Sequence, residues 1–128
     1  MAGERILIVD DNAINLKLVA YLMKANGYTV VTALDAESAI EAIRSNLPDV
    51  ILMDIQLPGI DGLELTRRLK ADPGTRDIVI VAVTAYAMKG DQAKALAAGC
   101  DDYITKPIDT RTLPETIAKH LAKREVVS

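Results

Sequence analysis

Asp10, Asp11, Asp54, Thr84 and Lys106 are the residues of this chain whose types and spacing could do chemistry. Each stands at the end of an apolar run: residues 6–9 before the acid pair, 50–53 before Asp54, 78–83 before Thr84, and the weaker Tyr103-Ile104 before Lys106. In an open parallel sheet, residues at the carboxyl ends of strands gather along one edge, where such folds bind ligands. Three carboxylates, a hydroxyl and an ammonium would meet there. Carboxylate oxygens suit a hard divalent cation. A hydroxyl and an ammonium suit phosphoryl oxygens.

The elements that must position these residues alternate. Residues 6–9 read as a strand, and Leu16, Val19, Ala20 and Met23 follow at helical spacing with Gly27 as a stop. Residues 28–32 are rich in β-branched side chains. Asp35 can cap a second helix with Ala36, Ala39, Ile40 and Ile43 on one face, and Pro48 leads into the strand at 50–53. Pro58-Gly59 and Asp61-Gly62 mark a loop before a helix carrying Leu65 and Leu69, which Asp72-Pro73-Gly74 closes. After the strand at 78–83, residues 88–98 form an Ala-rich helix stopped by Gly99. Leu113, Ile117 and Leu121 define the last helix. Its start is open between Asp109 and a capping box of Thr112 with Glu115, and Pro114 fits only a first turn. Both ends of the chain, near 1–4 and 123–128, read as frayed. Five βα units predict an α/β fold, a parallel sheet covered on both faces, and one domain over 1–128 with its core at about 5–121.

Half of the residues are hydrophobic, enough for a core at 128 residues. A net charge of -3 and the absence of Trp and Phe argue against nucleic acid, which needs a basic face or a stacking platform. No apolar run approaches the ~20 residues of a membrane span. The start lacks a signal-peptide core, and the single Cys100 fits a reducing, cytoplasmic setting. Cys100 reads as a small packed residue. His120, between Lys119 and Leu121, reads as a solvated helix position.

The joint pattern of Asp10-Asp11, Asp54, Thr84 and Lys106-Pro107 resembles the receiver domain of two-component response regulators, over nearly the whole chain. The resemblance implies a flavodoxin-like (βα)5 fold with strand order 2-1-3-4-5. It implies that Asp54 is the phosphorylated residue. It implies Mg²⁺ held by Asp11 and Asp54 directly, by Asp10 through water, and by the main-chain carbonyl of Gln56. Lys106 and Thr84 would contact phosphoryl oxygens, small Ala85 would leave the acyl phosphate approachable, Tyr103 would be the switch aromatic, and Pro107 would follow a cis bond. The phosphodonor would be a histidine kinase or phosphotransfer protein. Output would pass to a downstream protein through the face made by the fourth helix, fifth strand and fifth helix. Such a domain is a phosphoacceptor that assists its own phosphorylation and dephosphorylation, not an enzyme.

Residues 85–91 and 53–58 also resemble single-domain regulators of the DivK type and receivers attached to hybrid histidine kinases. The leading reading is a stand-alone receiver, with a receiver cut from a hybrid kinase as the alternative. Taken singly, each element has a plainer reading: an acid pair that caps a helix, a strand-end hydroxyl, a solvated lysine, a half-buried tyrosine. An Asp-based, Mg²⁺-dependent phosphohydrolase would place its nucleophile after the first strand with a second Asp two residues on, where this chain has Asn12. Asp10-Asp11 would repel the phosphate of a flavin, and no Gly-rich loop ending in Lys-Ser/Thr supports a nucleotide.

Overall fold

The computed structural model describes residues 4–55, 62–84, 91–105 and 108–127, with the side chains of 91–92 and 123–127 outside that description. Elements alternate as β1 (Arg5–Val9), α1 (Ala13–Ala25), β2 (Thr29–Ala33), α2 (Ala36–Ser45), β3 (Val50–Asp54), α3 (Gly62–Ala71), β4 (Val79–Thr84), α4 (Asp91–Ala98), β5 (Asp102–Thr105) and α5 (Leu113–Val127). The strands are parallel in the order β2-β1-β3-β4-β5. This is the flavodoxin-like order that the resemblance implied.

Alternation along the central strands divides the core in two. Leu7, Val9, Ile51, Met53, Ile80 and Ala82 pack against α2, α3 and α4. Ile6, Ile8, Leu52 and Val81 pack against Leu16, Val19 and Met23 of α1 and Leu113, Ile117 and Leu121 of α5. β1, β3 and β4 are apolar on both faces because helices cover both. Among the described side chains of α4, Ala95 and Ala98 reach the core, so little apolar area ties the helix down.

Helix ends follow the local chemistry. The Asp35 carboxylate accepts from the Ser38 amide at 2.7 Å, and this bond leads the effects that hold its pKa below the usual value. Gly27 (φ 90°) and Gly99 (φ 108°) take the left-handed conformation just past α1 and α4. The bonds at the start of α5 are made by Asp109. Asp109 forms a turn, accepting from the Arg111 amide at 2.9 Å, and the helix proper begins at Leu113 with Pro114 in its first turn. The Thr112 hydroxyl donates back to the Asp109 carbonyl at 3.4 Å. α5 continues through Val127, beyond the point where the sequence reads as frayed.

His120 corrects the sequence reading. Its side chain is 13% exposed, and Nε2 lies 2.8 Å from Oδ2 of Asp102 on β5. Asp102 also accepts from the Tyr103 amide at 2.7 Å. Partial burial works to raise the Asp102 pKa. The hydrogen bond from His120, the Tyr103 amide, and the charges of His120 and Lys119 outweigh it and hold the pKa below 3.8. A carboxylate with a depressed folded pKa contributes stability above its unfolded pKa, and that contribution is lost as pH falls through the folded value. Urea unfolding between pH 6 and 2.5 should therefore show an acid loss below about pH 4 that shrinks in His120→Gln. Parallel curves for the two proteins would mean that the pair contributes nothing in this window.

Candidate metal centre at the strand ends

β1 and β3 are neighbours in register, with Val9 opposite Met53, so the residues that follow come together. One carboxylate oxygen each from Asp10, Asp11 and Asp54 lies within 4.8 Å of the others. Asp10 is 5% exposed, Asp54 is 3% exposed, and Asp11 is open to solvent. Three anions this close repel, and a cation among them relieves that repulsion. The donors are all carboxylate oxygens with no His or Cys, a set that fits a small hard ion such as Mg²⁺.

α1 shapes the first half of the site. Oδ1 of Asn12 accepts from the amides of Ile14 and Asn15 at 3.0 and 3.1 Å, an N-cap that starts the helix. The Asn12 amide donates to Oδ1 of Asp10 at 2.9 Å, and Nδ2 of Asn15 donates to Oδ2 of Asp10 at 2.7 Å. α3 shapes the second half. A Cβ on Gly62 would run into the Asp54 carbonyl oxygen and stand 2.8 Å from Cα of Ile55. The Gly62 amide donates to the Ile55 carbonyl at 3.2 Å, and the Ile55 amide donates to Val83 at 3.1 Å. The end of β3 is thus clamped between β4 and the first residue of α3. Behind it, the buried Thr66 hydroxyl donates to the Gly62 carbonyl at 2.8 Å, and Cys100 Sγ lies 3.8 Å from that hydroxyl. Burial is the main influence raising the Cys100 thiol pKa, which fits the packed role read for it.

Thr84 ends β4, fully buried, one residue beyond the Val83 that pairs with Asp54. Tyr103 lies opposite Ala82 on β5, half-buried against the core on the α4 side. Thr84 and Tyr103 therefore lie toward the same face of the sheet. Gln56, Ala85, Lys106 and Pro107 lie outside the described residues. The sequence reading did not single out Asn15 or Gly62 for the site. Asn15 sits at the third helical position after the Asn12 cap, where a polar residue has a signal, but its contact with Asp10 does not.

The model for the response regulator receiver domain matches residues 6–118. The chain belongs to the response regulator receiver family. This receiver is 45% identical over 116 residues to the polar-differentiation response regulator DivK of Brucella anthropi, covering 91% of this chain and 94% of DivK. It is similar to a solved CheY-like receiver domain protein from Methanospirillum hungatei, with TM-score 0.89 and 34% identity over 99% of this chain and 100% of the other. It is also similar to the receiver domain of a sensor histidine kinase from Pseudomonas aeruginosa, solved with a magnesium ion coordinated in the active site cleft. There the TM-score is 0.86 and the identity 34%, over 94% of this chain and 99% of the other. No helix among the described residues of the receiver is long and apolar enough to cross a membrane.

Proposed function

We propose that this receiver is a DivK-like, single-domain response regulator, one unit over 1–128, which accepts a phosphoryl group on Asp54 with Mg²⁺ bound. The observation that carries the proposal is the meeting of Asp10, Asp11 and Asp54 within 4.8 Å at the strand ends of a receiver fold. Asp54 is the acceptor because it alone of the three ends the central strand β3, beside buried Thr84 at the end of β4. Its oxygen attacks phosphorus in line, the bond to the donor breaks, and an acyl phosphate remains. The three acids, with the Gln56 carbonyl, would hold Mg²⁺, which neutralises charge on the phosphoryl oxygens when bound. Lys106 pairs with one oxygen as a point charge, and Thr84 donates its hydroxyl to another. Ala85 leaves room for the donor.

A cytoplasmic histidine kinase or phosphotransfer protein supplies the phosphoryl group. Ile14, Leu18 and Tyr21 support a helical donor: they form an exposed apolar stripe along α1, beginning beside the acids. The new charge at the strand ends draws Thr84 toward it and lets Tyr103 turn inward, shifting a two-state equilibrium of the α4-β5-α5 face toward its binding-competent form. A downstream protein reads that face. The domain assists its own phosphorylation and dephosphorylation and turns over no separate substrate. The same chemistry would serve a receiver within a hybrid kinase, and the likeness to the Pseudomonas aeruginosa domain supports that second reading.

Acetyl phosphate with Mg²⁺ should add one phosphoryl group per chain, read by intact mass. A chelator should prevent it, because three carboxylates without a cation repel an incoming dianion. Equal labelling with and without the chelator would overturn the metal-assisted reading.

A further inference from the structure

Resting on the metal centre proposed above, we infer that Asn15 is a positioning residue that clamps Asp10 against the start of α1 and so sets which acids face the ion. Asp10 is nearly buried, and donors on the α1 side engage both of its oxygens: the Asn12 amide at 2.9 Å on Oδ1 and the Asn15 side chain at 2.7 Å on Oδ2. An ionised carboxylate oxygen accepts more than one hydrogen bond, so Asp10 can still accept from a metal-bound water. It cannot rotate freely toward the ion. Asp11, next in the chain and exposed, shows no such clamp among the described residues.

Asn15 is itself fixed at two points. Its amide donates to the Asn12 cap at 3.1 Å, and its side chain reaches back to Asp10. A Glu or Gln at this helical position usually bonds the cap residue's amide. Here Asp10 takes that amide, and the shorter Asn15 takes Asp10. An aspartate at position 15 would have no proton to donate. Partners that orient a metal site's carboxylates typically change metal affinity on the order of 10–100-fold when removed.

The test is a Mg²⁺ titration followed by amide chemical shifts, on wild type, Asn15→Ala, Asp10→Ala, the Asn15→Ala/Asp10→Ala double variant and Asp11→Ala. Alanine is a better helix former than asparagine, so a loss of affinity cannot be assigned to a weakened α1. Asn15→Ala should weaken binding on the order of tenfold in the wild-type background. It should change binding by less than about twofold once Asp10 is absent, because coupled neighbours are not additive. Unchanged affinity for Asn15→Ala, with Asp11→Ala still impaired, overturns the inference and leaves the metal centre standing. The same fold-loss in both backgrounds overturns it as well, because Asn15 would then act on something other than Asp10. A wild-type protein that does not bind Mg²⁺ removes the metal centre and this inference with it.

Discussion

Asp54→Asn should leave the chain without detectable phosphorylation by acetyl phosphate and Mg²⁺, while wild type gains one group. An amide of the same size fills the end of β3, so the fold is disturbed little. It is a poor nucleophile toward phosphorus, and it removes one of the three negative charges that attract the cation. Asp10 cannot substitute. It is 5% exposed and its oxygens are engaged by Asn12 and Asn15. Asp11 lies just beyond the end of β1, one strand farther from Thr84 than Asp54 is. Wild-type-like labelling of the variant would mean that another side chain is the acceptor.

Gly62→Ala should destabilise the protein and slow its labelling together. The added Cβ would meet main-chain atoms of Asp54 and Ile55, which cannot swing away as a flexible side chain can. Overpacking of this kind costs about 1–3 kcal/mol. For a domain of this size that corresponds to a fall in Tm of roughly 3–15 °C. Relief would come from moving either α3 or the strand end that carries Asp54. A misplacement on the order of 1 Å at a reacting group costs up to about 100-fold in rate. Calorimetry with labelling kinetics tests both effects. Wild-type values for both would show that α3 yields without disturbing Asp54.

The strand ends were legible because parallel strands buried on both faces are continuous apolar runs, and the chemical residues interrupt them. Asp54 and Thr84 stand out as the polar ends of β3 and β4. The fold class followed from the alternation of elements, and the strand order from the resemblance. The contacts that organise the site were hidden for physical reasons. Asn15 reads as an ordinary polar residue in a first helical turn until β1 and α1 are placed together. Gly62 reads as a turn glycine, although its role is close approach to a neighbouring strand end. His120 looks solvated between Lys119 and Leu121, because only the rotation of α5 on the sheet shows that it meets Asp102. α5 also outruns its apolar pattern, with three core positions four residues apart followed by a helical tail to Val127.

The central claim is that the strand-end acid of β3 carries the phosphoryl group as an acyl phosphate. Borohydride reduction tests it most directly, because the reagent converts an aspartyl phosphate to homoserine and releases phosphate. After labelling with acetyl phosphate and Mg²⁺, reduction and digestion, the peptide spanning residue 54 should carry homoserine at that position and nowhere else. Homoserine at residue 10 or 11, or a phosphoryl group that survives reduction on a hydroxyl, would contradict the account.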